Sequence, residues 1–486
     1  MRCACTGAAC GNSSQTYFDD RRRTRIGKTK PHPASFRDPS GFLFVRDGRL
    51  FRQVNRRYAK DYEHLLESGL YDDLVGEGLL VAHAEREDSA ADPESAFKVI
   101  EPETIPFVSY PYEWCFSYWK DAALVTLAIQ RKAIDHGMSL KDASAYNVQF
   151  DSGLPLWIDT LSFEILRQGE PWIAYRQFCR HFLAPLALMS YVNIELGKLM
   201  RTHIDGIPLE LASQLLPRRT QLKLSLLVHI HWHASAQRRF AGRSTRRPGK
   251  GRQMNLNALR GLVDNLESAI RKLNWEPGQS ALADYEQTHA YSKFAWGEKR
   301  RLTEEFLDEV RPDSVWDLGA NVGSFSRLAS ERGIQTVAFD LDPGAVELNY
   351  LRVRDEGETH LLPLVMDLTN PSPALGWDHR ERASLEQRGP TRAIFALALE
   401  HHLAISNNVP LEKLARFLAR LGDSLLIEFI PKEDPQVQRL LVNREDIFTE
   451  YHREGFEAAF GSHFDILRSD PVGDSGRLLY RMVTLA

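Results

Sequence analysis

The sequence is poor in cysteine, with five among 486 residues, which excludes the disulfide framework of small secreted domains. Three of the five, Cys3, Cys5 and Cys10, cluster near the start. No histidine or fourth cysteine stands nearby to close a tetrahedral shell, so no metal centre is expected there. Cys115 and Cys179 lie among aromatic residues and read as small buried apolar groups. No apolar run approaches the roughly 20 residues that cross a bilayer. The opening MRCACTGAACGNSS is small and polar, without the apolar centre of a signal peptide, so the cytoplasm is the default expectation. Neither sign of charge predominates, with 61 lysines and arginines against 65 acids, and the formal net charge of −4 argues against a general polyanion binder.

What is present is the composition of an ordinary globular protein, 43% hydrophobic and 26% charged, in a chain too long for one core. Residues 1–35, with Arg21, Arg22, Arg23 and Arg25, read as a disordered basic leader. A second basic run, RRFAGRSTRRPGKGR from Arg238 to Arg252, carries Gly242, Pro248, Gly249 and Gly251 and reads as a flexible linker. It lacks the interleaved aromatics that stack bases, so nucleic acid is not an expected partner. Leucines at 256, 259, 262 and 266 then recur at helical spacing and predict a connecting helix within residues 236–284. These boundaries leave two large units, residues 36–235 and residues 285–486.

The most informative stretch is VWDLGANVGSFSRLASERGIQTVAFDLDPGAVE, residues 315–347. It predicts a buried strand, a turn through Asp317, Gly319, Asn321 and Gly323, a helix beginning near Ser324, and a second strand from Thr336 to Phe339 that ends in Asp340. Glycine at 319 and 323 lets the backbone bend and lets a ligand approach where a Cβ would collide. An acid about twenty residues beyond a glycine turn suits the paired hydroxyls of a ribose. Nicotinamide and flavin sites favour G-x-G-x-x-G with a pyrophosphate on the helix N-terminus; here the order is D-x-G-x-x-x-G. A leading carboxylate repels pyrophosphate and suits the amine of a methionine.

Further strands follow in order. LLPLVMDLTNPSP predicts a third strand ending at Asp367, AIFALALEHHL a fourth running into Glu400, His401 and His402, and SLLIEFIPKED a fifth ending at Glu428. FDILRSDPVGDSGRLLYRMVTL predicts a closing strand pair. With its acid-led glycine turn, residues 285–486 resemble the class I S-adenosylmethionine (SAM) dependent methyltransferases. That resemblance implies an α/β, Rossmann-like sheet with SAM as cofactor, Asp317, Gly319, Asn321 and Gly323 around the methionine, Asp340 on the ribose and Asp367 near the adenine. Asn321 departs from the usual middle glycine. The resemblance places Glu400, His401 and His402 beside the transferred methyl group, with histidine the natural base near neutral pH. No Asn/Asp-Pro-Pro-Tyr/Phe signature for planar nitrogens follows the fourth strand, so N-methylation of adenine or glutamine is not expected. Upstream, Tyr291, Phe294 and Lys299 stand where that family often lids the cofactor; they are equally readable as core.

Residues 36–235 carry a second constellation. A hairpin around Asp47 and Gly48, a helix from Tyr58 to Leu70, strands LLVAHAE and AFKVIEP and a long helix from Tyr118 to His136 precede Asp142, Asn147 and Asp159. This order is similar to an α+β protein-kinase-like domain, in which Asp142 would be the base and Asn147 and Asp159 would hold magnesium on ATP. Several features depart from that pattern: no glycine-rich phosphate loop precedes the hairpin, Leu140 and Lys141 replace histidine and arginine, and Arg52 stands where a lysine is expected. Three polar loop residues also read as turn and capping groups. YPYEW, SLKDASAYN, YRQFC and IPKEDPQVQRLL together resemble a bacterial family of large methyltransferase-like proteins that includes the NoeA-type nodulation proteins. That implies a cytoplasmic enzyme of surface-glycan or secondary-metabolite modification. Three functions therefore stand open: a methyltransferase, a bifunctional or phosphotransferase enzyme, and a noncatalytic protein that senses SAM.

Overall fold

The computed structural model describes residues 29–233, 254–278, 291–442 and 444–485. The expected leader up to residue 28 with Cys3, Cys5 and Cys10, the basic run at 238–252 and the boundary near residue 285 lie outside the described residues. Among the described residues no helix is long and apolar enough to cross a membrane.

The first sheet takes the order β1 (Lys30–Pro31), β2 (Gly41–Arg46), β3 (Arg49–Asn55), β5 (Ala96–Pro102), β4 (His83–Arg86). Strands β2 and β3 form the hairpin expected from Asp47-Gly48. Both turn residues have positive φ, 50° and 77°, as a two-residue turn matched to strand twist requires. Helices Ala59–Glu67 and Leu70–Gly76 fill the crossing from β3 to β4. The 20-residue helix Phe116–Asp135 follows and is buried on most of its circumference. Beyond it β6 (Met138–Leu140) pairs with β9 (Phe163–Ile165), and β7 (Val148–Asp151) with β8 (Leu154–Trp157). Helix Leu256–Arg271 lies along Phe116–Asp135. Its buried stripe is Leu259, Val263, Leu266 and Ile270, with Leu256 largely exposed. Arg131 bridges Asp264 and Glu267 at the edge of this contact.

The second sheet has seven strands: β12 (Leu361–Val365), β11 (Gln335–Asp340), β10 (Ser314–Leu318), β13 (Thr391–Ala396), β14 (Gly422–Phe429), β16 (Leu478–Thr484), β15 (Phe464–Pro471). The first five are parallel to one another and β16 runs antiparallel to both of its neighbours. Hydrophobic runs buried on both faces give the central strands their near-continuous apolar sequence.

Three expected boundaries move. The helix after the glycine turn begins at Ser326, not Ser324, because Gly323 donates back to Ala320 and the turn takes up two more residues. Strand β12 stops at Val365, since Asp367 Oδ1 accepts from the amide and hydroxyl of Thr369 and turns the chain out of the ladder. Strand β13 stops at Ala396. Glu400, His401 and His402 stand on a helical turn beyond it.

The segment that follows the first sheet shares a core with the second sheet. Tyr118 stacks on Tyr350 with centroids 3.7 Å apart. Phe107 sets its ring edge-on against Trp316 and Phe339, at 5.6 and 5.9 Å. Arg388 and Glu113, both buried, form a bidentate pair at 2.5 and 2.8 Å, and Ser372 donates to the same carboxylate. Breaking such a pair on one side costs about 3–5 kcal/mol, because the remaining charge stays buried. Glu347, from helix Pro343–Glu356, reaches the start of helix Phe116–Asp135.

Candidate functional site

The C-terminal edges of β10, β11 and β13 converge on the glycine turn. Asp317 is buried and accepts from Ser326 Oγ at 2.6 Å. Burial pushes its carboxyl up to about 7, against the pull of the Ser326 bond and Lys299, with Asp340 adding repulsion. Gly319 (φ 80°) faces Leu399, whose Cδ1 would stand 3.1 Å from an added Cβ. Gly323 (φ 82°) is tighter: a Cβ there would meet Asn349 Nδ2 at 2.6 Å and Arg327 Nη1 at 2.8 Å. Asn321 adopts φ 51°, a conformation asparagine tolerates better than most residues. Its Oδ1 accepts from the Val322 amide and its own amide donates to Asp340 Oδ2 at 2.7 Å. The apparent departure at this position is therefore a local substitute for glycine.

Asp340 takes the Asp342 amide on Oδ1 at 2.8 Å. Burial lifts its carboxyl to about 6, opposed by these amides. Each of its oxygens accepts two hydrogen bonds at full capacity, so one further donor per oxygen can be received. Asp367 is half-buried beyond β12 and shaped by its own turn.

Glu400 is fully buried. Its Oε1 accepts from Tyr451 at 2.6 Å and from the Ile430 amide at 3.1 Å, while burial drives it up to about 8. At neutral pH it is mostly a neutral acid. Its Oε2 and the Nδ1 of buried His401 have no hydrogen-bond partner among the described residues. His402 reaches solvent, its ring 4.2 Å from that of His401. Desolvation lowers both imidazoles, His401 strongly, with His402, Arg477 and Lys299 adding to that effect on His401. Both are neutral at pH 7.

Beside this turn lies a buried ionic cluster. Glu428 accepts from Lys299 Nζ at 2.8 Å, Tyr291 at 2.6 Å and the Ala398 amide at 2.9 Å. Arg477 binds Asp434 at 2.8 Å and donates to Tyr291. Of the segment before β10, Tyr291 and Lys299 are thus interior, whereas Phe294 is exposed. Sequence reasoning missed Arg477, Tyr451, Ser326 and Asn349. The signal for Arg477 was an arginine opening an apolar strand, where an unpaired charge would be costly.

The second constellation is engaged with itself. Asp142 accepts from Gln177 at 2.7 Å and the Ser144 amide at 3.0 Å, and burial, then Asp159, raises its pKa. Asn147 donates to Ser162. Asp159 is paired at 2.6 Å with Arg52 of β3 and caps Leu161. Lys141 holds Ser40 and Asp38. Among the described residues no group of three or more acidic, histidine or cysteine side chains is arranged to hold a metal ion.

The strand order with its antiparallel β16, and the glycine turn at the end of β10, define a class I methyltransferase type of fold. No family model matches the chain. The nodulation protein NoeA of Rhizobium meliloti (strain 1021) is 35% identical over 455 residues, 92% of this chain and 94% of that protein; the chain belongs to the NoeA family. Solved structures with similarity include WbdD, described as a bifunctional kinase-methyltransferase, at 13% identity and TM-score 0.29 over 41% of each chain. The chain thus spans less than half of WbdD. Others are the magnesium protoporphyrin IX methyltransferase ChlM of Synechocystis PCC 6803 with bound SAH (15% identity, 41% of this chain and 90% of that one, TM-score 0.29), and a SAM-dependent methyltransferase of Clostridium acetobutylicum ATCC 824 (13%, 42% and 97%, 0.31).

Proposed function

We propose that the chain is a SAM-dependent methyltransferase acting on a small-molecule or glycan acceptor through residues 285–486. The observation that carries this reading is the convergence of two buried acids, Asp317 and Asp340, on a turn whose two glycines take the positive φ that a side chain disfavours. The chemistry of this donor set fits the cofactor: Asp317, lifted to about 7 by burial, would be drawn into its ionised form by the methionine ammonium, and Asp340 retains acceptor capacity for ribose hydroxyls. Asp367 stands at the edge expected to face adenine. When bound, SAM supplies an activated methyl group, so the protein's work is alignment and removal of a proton.

His402 is the base we assign, because it is neutral at pH 7 and open to solvent, and hence to an acceptor. Glu400, neutral and buried, holds the Ile430 amide and Tyr451 and so steadies the turn that carries His402. His401 packs beneath it.

Residues 36–235 we read as a kinase-like scaffold that selects or presents the acceptor, with 236–284 as its connection. The strand order of the first sheet and the β6–β9 and β7–β8 pairings support that reading. Arg52 occupies Asp159, the acid that phosphotransfer would assign to magnesium, so ATP is not part of the proposed activity. Calorimetry with S-adenosylhomocysteine, followed by transfer of radiolabelled methyl from SAM into a host-cell extract, tests the function. Tight binding with no acceptor in any extract would favour a SAM sensor, and no binding would end the assignment.

A further inference from the structure

Ala398 is an alanine in the left-handed region, φ 52°, where a Cβ crowds the following carbonyl. Such a residue persists only where its surroundings hold it. What holds this one is Glu428. Its Oε2 accepts the Ala398 amide at 2.9 Å from the neighbouring strand. That carboxylate is fixed in turn by Lys299 at 2.8 Å and Tyr291 at 2.6 Å, with Arg477 at 3.8 Å. On the other side of Ala398, Leu399 closes over Gly319. The Leu399 carbonyl then accepts the amide of His402 at 3.0 Å and so begins the helical turn that presents it.

We propose that Glu428 is the positioning residue of the methyltransferase site, clamping Ala398 in its left-handed conformation so that Leu399 packs on the glycine turn and His402 faces the acceptor. This rests on the SAM reading above. Lys299 and Arg477 overcome the burial penalty and keep Glu428 ionised, so both oxygens accept. A glutamine has one acceptor oxygen for three donors and must lose the Ala398 amide, the Lys299 ammonium or the Tyr291 hydroxyl.

The test uses the full chain and S-adenosylhomocysteine as the probe in calorimetry. Glu428→Gln should weaken binding about tenfold, the equivalent of about 1.4 kcal/mol. Adding Ala398→Gly should restore affinity to within about threefold of wild type, because glycine adopts the positive φ without a clamp. A merely structural role for Glu428 predicts no such rescue. Should Glu428→Gln fail to fold, Ala398→Val leaves the ionic cluster intact and should lose affinity alone, since a β-branched residue is strongly disfavoured at this φ. Unchanged binding by Glu428→Gln or Ala398→Val, or a loss that glycine does not recover, overturns the proposal while leaving the SAM reading in place. A wild-type chain that does not bind the probe overturns both.

Discussion

Glu347 caps a helix that belongs to the other half of the molecule: its Oε2 accepts the amide of Ser117 at 3.0 Å and its Oε1 the Ser117 hydroxyl at 2.5 Å. Helix Phe116–Asp135 has no capping side chain of its own, Cys115 standing at the N-cap. One of its orphan amides, that of Ser117, is therefore satisfied across the interface. Glu347→Ala should destabilise the whole protein by about 1–2 kcal/mol, the value of a lost cap. Urea unfolding measures this; a midpoint equal to wild type would refute the cap's importance.

Asp317 sets the expected pH dependence of cofactor binding. Its folded pKa is raised to about 7, so the folded state holds a proton that the unfolded chain has released, and its contribution to stability is greatest in acid and falls as pH rises towards 7. A bound ammonium favours the ionised acid and expels that proton. Affinity for SAM should therefore rise by up to about tenfold per pH unit between about pH 5 and 7, then level off. Asp317→Asn should flatten this profile in calorimetry at several pH values. Asp340, raised to about 6, adds to the lower part of the window.

His402→Ala should lower methyl transfer by about a hundredfold or more, the usual contribution of a general base. The loss should fall on kcat rather than on affinity for S-adenosylhomocysteine. Steady-state rates on the identified acceptor decide it, and full turnover by this variant would remove His402 from the mechanism.

The Arg52–Asp159 pair predicts an inert nucleotide site. Addition of ATP with magnesium should leave the thermal midpoint of the wild type unchanged, since bound nucleotide would raise it. Asp159→Ala should destabilise by about 3 kcal/mol, leaving the largely buried Arg52 unpaired. A nucleotide-dependent rise in Tm would restore the phosphotransfer reading.

Local signals carried the parts of this structure that depend on neighbours in sequence. Asp47-Gly48 specified its hairpin by backbone conformation alone, and the glycines at 319 and 323 marked a turn whose positive φ a side chain disfavours. The NoeA resemblance likewise rested on short contiguous motifs. Contacts that join distant segments left little trace. Arg477 meets Tyr291 across 186 positions, and Glu347 meets Ser117 across 230; nothing in either local segment names its distant partner. The end of β13 was misplaced for a related reason. AIFALAL is uniformly apolar, and the strand stops because Ala398 is held by Glu428 from the next strand, which no pattern within the segment records.

Phe107 has a consequence for communication within the chain. Its ring rests on Trp316 and Phe339, and these residues immediately precede Asp317 and Asp340 on their strands. Close-packed interiors transmit strain rather than absorb it. Any displacement of the segment bearing Phe107 therefore bears at once on the strand positions that precede Asp317 and Asp340.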